Sequence, residues 1–338
     1  MTVDPSLLRR VADRALADYR GGTLKPHWGD AVLMLALDRA AGALAEPSYA
    51  EGARDWLDEY IGRGLDLSRP IWDWGALPLP ALALYRRWGE ERHLALALQV
   101  CDHLVKGARR TQDGGVVAHG GPPQLWVDSM YFSAPALVEM SALRGEPHYL
   151  EEAVHEIEVH ARHLLDRETG LFYHMWDETS GQHTPGLWAR GNAWAALSTL
   201  AVLDALPADD WRRPGLQAML RRQMDAVVAR QDASGRWRTV IDRPDSYLET
   251  SCAAMFCLAI LRGVRSGWLP GSMLEGARRA WEAVVEQVDG EGRVTGVSAG
   301  TPPGDFDIYQ RVPLGSETFG TGFVLMAGME MASPAGAV

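Results

Sequence analysis

The chain is poor in cysteine, in phenylalanine and in strand-forming patterns, and it has no charge-free apolar run of membrane length. Its 338 residues include 3 Cys and 6 Phe. Cys101, Cys252 and Cys257 are an odd set without CxxC spacing. That argues against a disulfide frame or a cysteine zinc site and predicts buried, reduced thiols in a cytoplasmic protein. The charge-free apolar stretches 191–203 and 251–261 reach about 13 residues at most, where a bilayer-crossing helix needs roughly 20. No stripe of Lys and Arg offsets the net charge of −11, which excludes a nucleic-acid binder. The opening residues Met1 to Pro5 carry no basic segment leading into an apolar one, so no export signal is expected. No phosphate-binding loop of the GxxxxGK[ST] type occurs.

What is present is a chain that is 47% hydrophobic and 23% charged, long enough to bury a large core. Its oddity is 13 Trp against 6 Phe. Tryptophan serves where a broad flat face must stay accessible and an N–H must reach a partner. Helical periodicity dominates. It predicts helices over 6–19, 30–44, 47–61, 76–88, 91–107, 127–143, 147–166, 192–205, 211–232, 249–266, 271–288 and 320–331, with Pro and Gly punctuating the boundaries. Charged amphipathic helices alternate with nearly all-apolar ones rich in small residues, and an all-apolar helix must be buried on every side. Six outer–inner pairs predict an all-α chain forming a closed (α/α)6 barrel. No Gly/Ser or Pro tract divides residues 1–338, so one domain is expected.

Each inner helix follows a polar–aromatic cluster. The clusters are His27-Trp28-Gly29-Asp30, Trp72-Asp73-Trp74-Gly75, Leu125-Trp126-Val127-Asp128, Trp188-Ala189-Arg190-Gly191-Asn192, Tyr247-Leu248-Glu249-Thr250 and Glu317-Thr318-Phe319-Gly320. If the inner helices run parallel, these entrances meet at one mouth, where helix N-termini favour an anionic ligand. Taken singly, Asp30, Asp73, Asp128 and Glu249 also read as helix-capping carboxylates. Asp128 stands out, because aromatic neighbours raise the pKa of a carboxyl group towards that of a general acid. No Glu or Gln follows three residues on to form a capping box. Arg190 between Trp188 and Trp194 suits a carboxylate held in a fork beside a sugar face, and Gly191 allows close backbone approach. The loop Phe172-Tyr173-His174-Met175-Trp176-Asp177-Glu178 lies between helices, where function concentrates. His174 can donate to a substrate hydroxyl or carboxylate, or serve a structural role.

Two tempting motifs are set aside. His155, His160 and His163 fall on a charged outer helix, and the i, i+5 spacing of the first two turns one ring off the other's face; a solvated helix face is expected there. Gly296-Val297-Ser298-Ala299-Gly300 matches GxSxG but lacks the strand and helix of a nucleophile elbow, so a glycine-rich turn is expected.

In that order, Trp72-Asp73, the Trp126-Val127-Asp128 block, the 172–178 loop, Trp188-Ala189-Arg190-Gly191-Asn192-Ala193-Trp194, Tyr247-Leu248-Glu249-Thr250-Ser251 and Phe319-Gly320-Thr321-Gly322-Phe323 resemble the unsaturated glucuronyl and rhamnogalacturonyl hydrolases of glycoside hydrolase families 88 and 105. The resemblance covers nearly the whole chain and implies an (α/α)6 barrel without a metal or organic cofactor. It implies removal of a Δ4,5-unsaturated uronic acid from the non-reducing end of lyase-generated oligosaccharides, most simply a rhamnogalacturonan-type disaccharide. By that resemblance Asp128 is the proton donor and Asp73 a second catalytic carboxylate. His174, Trp188, Arg190 and Trp194 grip the uronate, with Trp28, Trp126 and Glu249 completing the binding wall. Trp72, Trp74 and Trp176 are expected in the same cup. A monomer or homodimer is expected. An inverting glycosidase or sugar epimerase on the same barrel, or a non-catalytic oligosaccharide-binding protein, remain the alternative readings.

Overall fold

The computed structural model describes residues 3–22 and 28–333; His27, part of the first entrance cluster, lies outside them. Helices α1 (Pro5–Arg20), α3 (Pro47–Arg63), α5 (Glu91–Lys106), α7 (Pro147–Leu164), α9 (Arg213–Ala229) and α11 (Leu274–Val285) alternate with α2 (Trp28–Ala43), α4 (Pro78–Trp88), α6 (Asp128–Arg144), α8 (Ala189–Ala205), α10 (Thr250–Arg265) and α13 (Thr318–Ala332). The first set forms the outer layer. In α1 the buried residues Leu7, Leu8, Val11, Ala12, Ala15 and Leu16 make one stripe, as an amphipathic surface helix requires. The second set is inner, and in α8 every residue from Ala189 to Leu200 is buried.

The inner helices close a ring: α2 packs on α4, α4 on α6, α6 on α8, α8 on α10, α10 on α13, and α13 back on α2. The chain is therefore a six-hairpin (α/α)6 toroid, as the alternating patterns predict. Small residues permit the tight inner crossings. A side chain at Gly322 would meet the backbone of Val32 and Leu33 at 3.0–3.2 Å. Among the described residues, no helix is long and apolar enough to cross a membrane.

Short antiparallel ribbons, too brief to give a period-2 signal, tie the entrances together. Strands β1 (Gln124–Trp126), β2 (Met175–Asp177) and β3 (Gln182–His183) form one sheet. Strands β4 (Trp237–Arg238) and β5 (Leu248–Glu249) pair, as do β6 (Val297–Ser298) and β7 (Leu314–Gly315). A further helix that the periodicity does not announce, α12 (Phe306–Arg311), is six residues long. Helix α8 begins three residues before the predicted Asn192, which places Arg190 in its first turn.

The three cysteines are buried and unpaired. The histidine group on α7 is not a solvated face: His160 is fully buried and its Nδ1 donates to the Glu156 carbonyl at 2.8 Å, while His163 Nε2 lies 2.6 Å from Asp113. The helix turns His160 inward with Ile157 and Leu164, the apolar stripe that docks it on the barrel.

Candidate active site

Asp128 opens α6 but caps nothing: the capping position is Val127, and no side-chain cap bond forms there. Its carboxylate is 16% exposed and stands at the wall of a cavity of about 280 Å³. Trp28, Trp72, Trp126, Phe132, Trp188 and Arg190 line that cavity with Asp128, together with Gly300, Thr301 and Pro302. Four separate inner-helix entrances thus reach one mouth. Trp72 stacks on Trp126 with ring centroids 4.9 Å apart, and Trp28 stacks on Phe319 at 4.5 Å. These pairs offer flat apolar faces of the kind a sugar ring lies on.

His174 reaches Asp128 from behind the wall. Its Nε2 is 3.3 Å from Asp128 Oδ2, within ion-pair reach but misaligned for a good hydrogen bond. Its Nδ1 is 2.9 Å from the Tyr309 hydroxyl, and its ring stacks on Trp188 at 4.3 Å. The backbone fixes this pose. The Val127 N–H donates to the His174 carbonyl at 2.9 Å. Asn192 clamps Phe172 from both sides, accepting its N–H at 2.8 Å and donating to its carbonyl at 3.0 Å. Gly191 is required in this corner, because a Cβ there would stand 2.6 Å from Val127 and 2.8 Å from the Trp188 ring.

Arg190 is buried, with its guanidinium 4.5 Å from the centre of the Trp188 ring and 4.8 Å from that of Phe319. Its Nη1 donates to the Ser298 hydroxyl at 2.6 Å and carbonyl at 3.1 Å; Nη2 donates to the Ala299 carbonyl and the Thr301 hydroxyl, both at 2.9 Å. Its Nε has no hydrogen-bond partner among the described residues. The GxSxG-like segment is therefore no nucleophile elbow, and it is a short strand rather than the expected turn: Val297 and Ser298 form β6, and Ser298 is a ligand of Arg190. Glu249 sits behind this arrangement rather than at the cavity. It is the N-cap of α10, accepting from the Ser251 and Cys252 N–H groups, and it also accepts the Ser298 N–H at 3.0 Å. Its Oε1 is 3.7 Å from Arg190 Nη1. The capping role that the sequence leaves open holds for Glu249 and fails for Asp128.

Other expected site residues lie elsewhere. Asp73 turns its carboxylate to Arg69, 2.5 Å away, and is not among the cavity-lining residues; Trp72 beside it is. Trp194 is fully buried beneath the cup, edge-on to Trp28 at 6.0 Å. Trp74 is turned into the core and donates to the Arg69 carbonyl, and Trp176 faces outward to stack on His163 at 3.8 Å. Trp176 pairs with Leu125 in the sheet while Trp126 pairs with Met175. Adjacent strand positions face opposite ways, so only Trp126 looks into the cavity. The sequence does not single out Tyr309, Phe132 or the 300–302 turn. Tyr309 comes from α12, where Asp305 precedes six helical residues ahead of Pro313, a signal too short for periodicity. Burial raises its hydroxyl pKa above the usual tyrosine value, and the nearby Asp128 charge adds to this, so Tyr309 keeps its proton.

The closed helical toroid with a tryptophan-lined mouth is an (α/α)6 barrel with a cup shaped for a sugar ring. The chain belongs to glycosyl hydrolase family 88, whose model matches residues 7–334. It is 29% identical over 285 residues to the unsaturated rhamnogalacturonyl hydrolase YesR of Bacillus subtilis, covering 81% of this chain and 79% of that protein. It is 26% identical over 213 residues to the unsaturated 3S-rhamnoglycuronyl hydrolase of an Alteromonas species, covering 61% of this chain and 50% of the other. Among solved structures, a possible member of glycoside hydrolase family 105 from Salmonella enterica superposes with a TM-score of 0.88 at 23% identity, over 98% of this chain and 95% of that one. The unsaturated glucuronyl hydrolase of a Bacillus species superposes with a TM-score of 0.75 at 19% identity, over 95% and 94% of the two chains. Both superpositions share the fold.

Proposed function

We propose that this protein removes a Δ4,5-unsaturated uronic acid from the non-reducing end of lyase-generated oligosaccharides, a rhamnogalacturonan-type disaccharide foremost. The observation that carries this reading is Asp128 as the one carboxylate among the described cavity-lining residues, backed by His174 and set among tryptophans. An ordinary glycosidase works with a pair of carboxyl groups flanking the bond it breaks. Hydration of a vinyl ether needs one group that gives a proton and then takes one.

In this mechanism the Asp128 carboxyl protonates C4 of the unsaturated ring, and positive charge develops at C5 next to the ring oxygen. The Asp128 carboxylate then accepts a proton from the water whose oxygen bonds to C5. The resulting hemiketal opens with cleavage of the C5–ring-oxygen bond, and the C1 hemiacetal so formed releases the second sugar as an alcohol. Tyr309 donates its O–H to His174 Nδ1, which leaves Nε2–H facing Asp128. His174 is thereby a positioning residue for the acid. The stacked Trp72–Trp126 and Trp28 faces hold the rings. Arg190 presents positive charge to the substrate carboxylate, with Nε its one donor not engaged by described residues. Local charge is needed because a −11 protein gains nothing from long-range steering of an anion. Trp194 supports this wall from below, and Glu249 fixes Arg190. Asp73, held by Arg69, anchors the turn that carries Trp72 and so sets the pose of that ring.

The reading takes residues 1–338 as one catalytic domain acting as a monomer or homodimer. A cytoplasmic location is favoured by three buried, unpaired thiols. The test is optical. The conjugated enol-ether acid of an unsaturated disaccharide absorbs in the ultraviolet, and that absorbance falls on adding the enzyme. Absorbance that stays constant over hours at micromolar enzyme contradicts the assignment.

A further inference from the structure

At the end of the ring away from Asp128, the inner helices enclose a second cavity of about 300 Å³. All six contribute to its wall, which is mostly aliphatic and aromatic. It is separate from the cup above. Trp194 touches Trp28 on one side and, on the other, Tyr131 at 4.5 Å and Phe323 at 5.3 Å, both of which line the lower cavity.

Four charged side chains enter this space: Arg39, Glu139, Asp204 and Arg262. Three have evident counterparts. Glu139 pairs with Arg86 at 2.6 Å, and Asp204 accepts the Trp268 indole N–H at 2.7 Å. Arg262 stands in the last turn of α10, where the helix dipole favours a cation, with Glu330 at 3.8 Å. Arg39 is different. It is not in the last turn of α2, and its recorded contact is Nη1 to the Met326 sulfur at 3.5 Å, a weak acceptor. Its sequence neighbour Asp38 is already held by Arg87 through two bonds, at 2.6 and 2.9 Å. Among the described residues no carboxylate lies within ion-pair distance of Arg39. Burial, with the nearby Arg262 charge, pushes its pKa down to about 10. Glu139 and Glu330 oppose that shift from beyond ion-pair distance, so the half-buried guanidinium faces the cavity with no carboxylate in contact, and an entering carboxylate would take up its donors.

We propose that this lower cavity binds a small organic monocarboxylate with an apolar body, its carboxylate forked on Arg39. The wall selects within the anions. A sugar acid would bury hydroxyls against Leu35, Leu197 and Leu258 with few partners, and a bare inorganic anion would leave that apolar surface unfilled. Binding here needs no turnover at Asp128, so the proposal stands or falls apart from the proposed reaction.

Benzoate is the probe, titrated calorimetrically into the full chain with benzamide as its neutral counterpart. Benzoate is expected to bind at one site, about ten-fold or more tighter than benzamide, and Arg39→Gln to weaken it by a similar factor. Ala201→Phe, which fills the cavity and keeps both arginines, is expected to abolish binding even if Arg39→Gln fails to fold. Asp128→Asn is expected to leave benzoate binding intact. The proposal is overturned if benzoate gives no binding heat, if benzamide binds equally, or if binding survives Ala201→Phe.

Discussion

The Nε2 atom of His174 stands 3.3 Å from Oδ2 of Asp128, with the imidazole fully buried and the carboxylate at the cavity wall. This relationship makes Asp128 more than a helix-start residue, because its side chain turns to the imidazole and cavity instead of capping α6. Replacing it by Asn keeps the shape and removes the proton. We expect Asp128→Asn to lower kcat by about 10²- to 10⁴-fold with the melting temperature nearly unchanged. Full activity in that variant would end the mechanism.

The Tyr309 hydroxyl lies 2.9 Å from His174 Nδ1, and in the proposed mechanism it acts on Asp128 through that imidazole. Tyr309→Phe removes the O–H that sets the imidazole tautomer, while the ring still packs under Gly186. The expected result is a drop in kcat of about ten-fold or more with little change in KM, and a shifted acid limb of the pH–rate profile. A purely structural tyrosine would lower the melting temperature and leave that profile in place.

Arg190 is held by Ser298, Ala299 and Thr301 and backed by Glu249, so its loss uncouples the 298–301 segment from α8 and removes the counter-charge of a buried carboxylate. Arg190→Met is expected to destabilise the fold by about 3–5 kcal/mol, read from denaturant unfolding. The double variant Arg190→Met with Glu249→Gln should recover part of that loss. An Arg190→Met protein as stable as the parent would show the guanidinium to be dispensable to the fold.

Asp73 and Arg69 form a partly exposed pair, worth about 1 kcal/mol or less. Asp73→Asn should therefore barely move the melting temperature. If Asp73 serves the reaction, kcat/KM falls about ten-fold or more in the same protein; unchanged kcat/KM removes Asp73 from the site.

Burial of His160 lowers its pKa from 6.5 to about 4. The native protein holds this histidine neutral where the unfolded chain protonates it. Its contribution is complete above pH 6.5 and is lost as pH falls towards 4, at a limiting slope of about 1.4 kcal/mol per pH unit. Urea unfolding of His160→Gln across that range should show a flatter stability profile by that slope. An unchanged profile would mean that His160 titrates alike in both states.

The helical ring was legible because each inner helix is apolar around its circumference and each outer one has a single stripe, patterns that persist over several turns. The convergence of Trp28, Trp126, Trp188 and Asp128 was legible because the same kind of cluster recurs before each inner helix. The directions of individual side chains were not. Trp72 and Asp73 are neighbours, yet one faces the cavity and the other an arginine. Trp176 and Trp126 share a sheet but lie on opposite faces by one residue of register. Glu249 looks like Asp128 in sequence, and only the N–H groups of Ser251, Cys252 and Ser298 around it reveal a cap. Tyr309 rides on a helix too short to carry a period. Arg39 was hidden among apolar residues of α2, and what sets it apart is that no described carboxylate lies within ion-pair distance of it.

The central claim is that the enzyme acts on the C4=C5 double bond and not on the glycosidic carbon. The measurement that tests it most directly compares one unsaturated disaccharide with its saturated counterpart under identical conditions, following sugar release from both and ultraviolet absorbance from the first. The account predicts release from the unsaturated compound in step with loss of absorbance, and none from the saturated one. Cleavage of the saturated compound at a comparable rate, or release that leaves the absorbance intact, would contradict it.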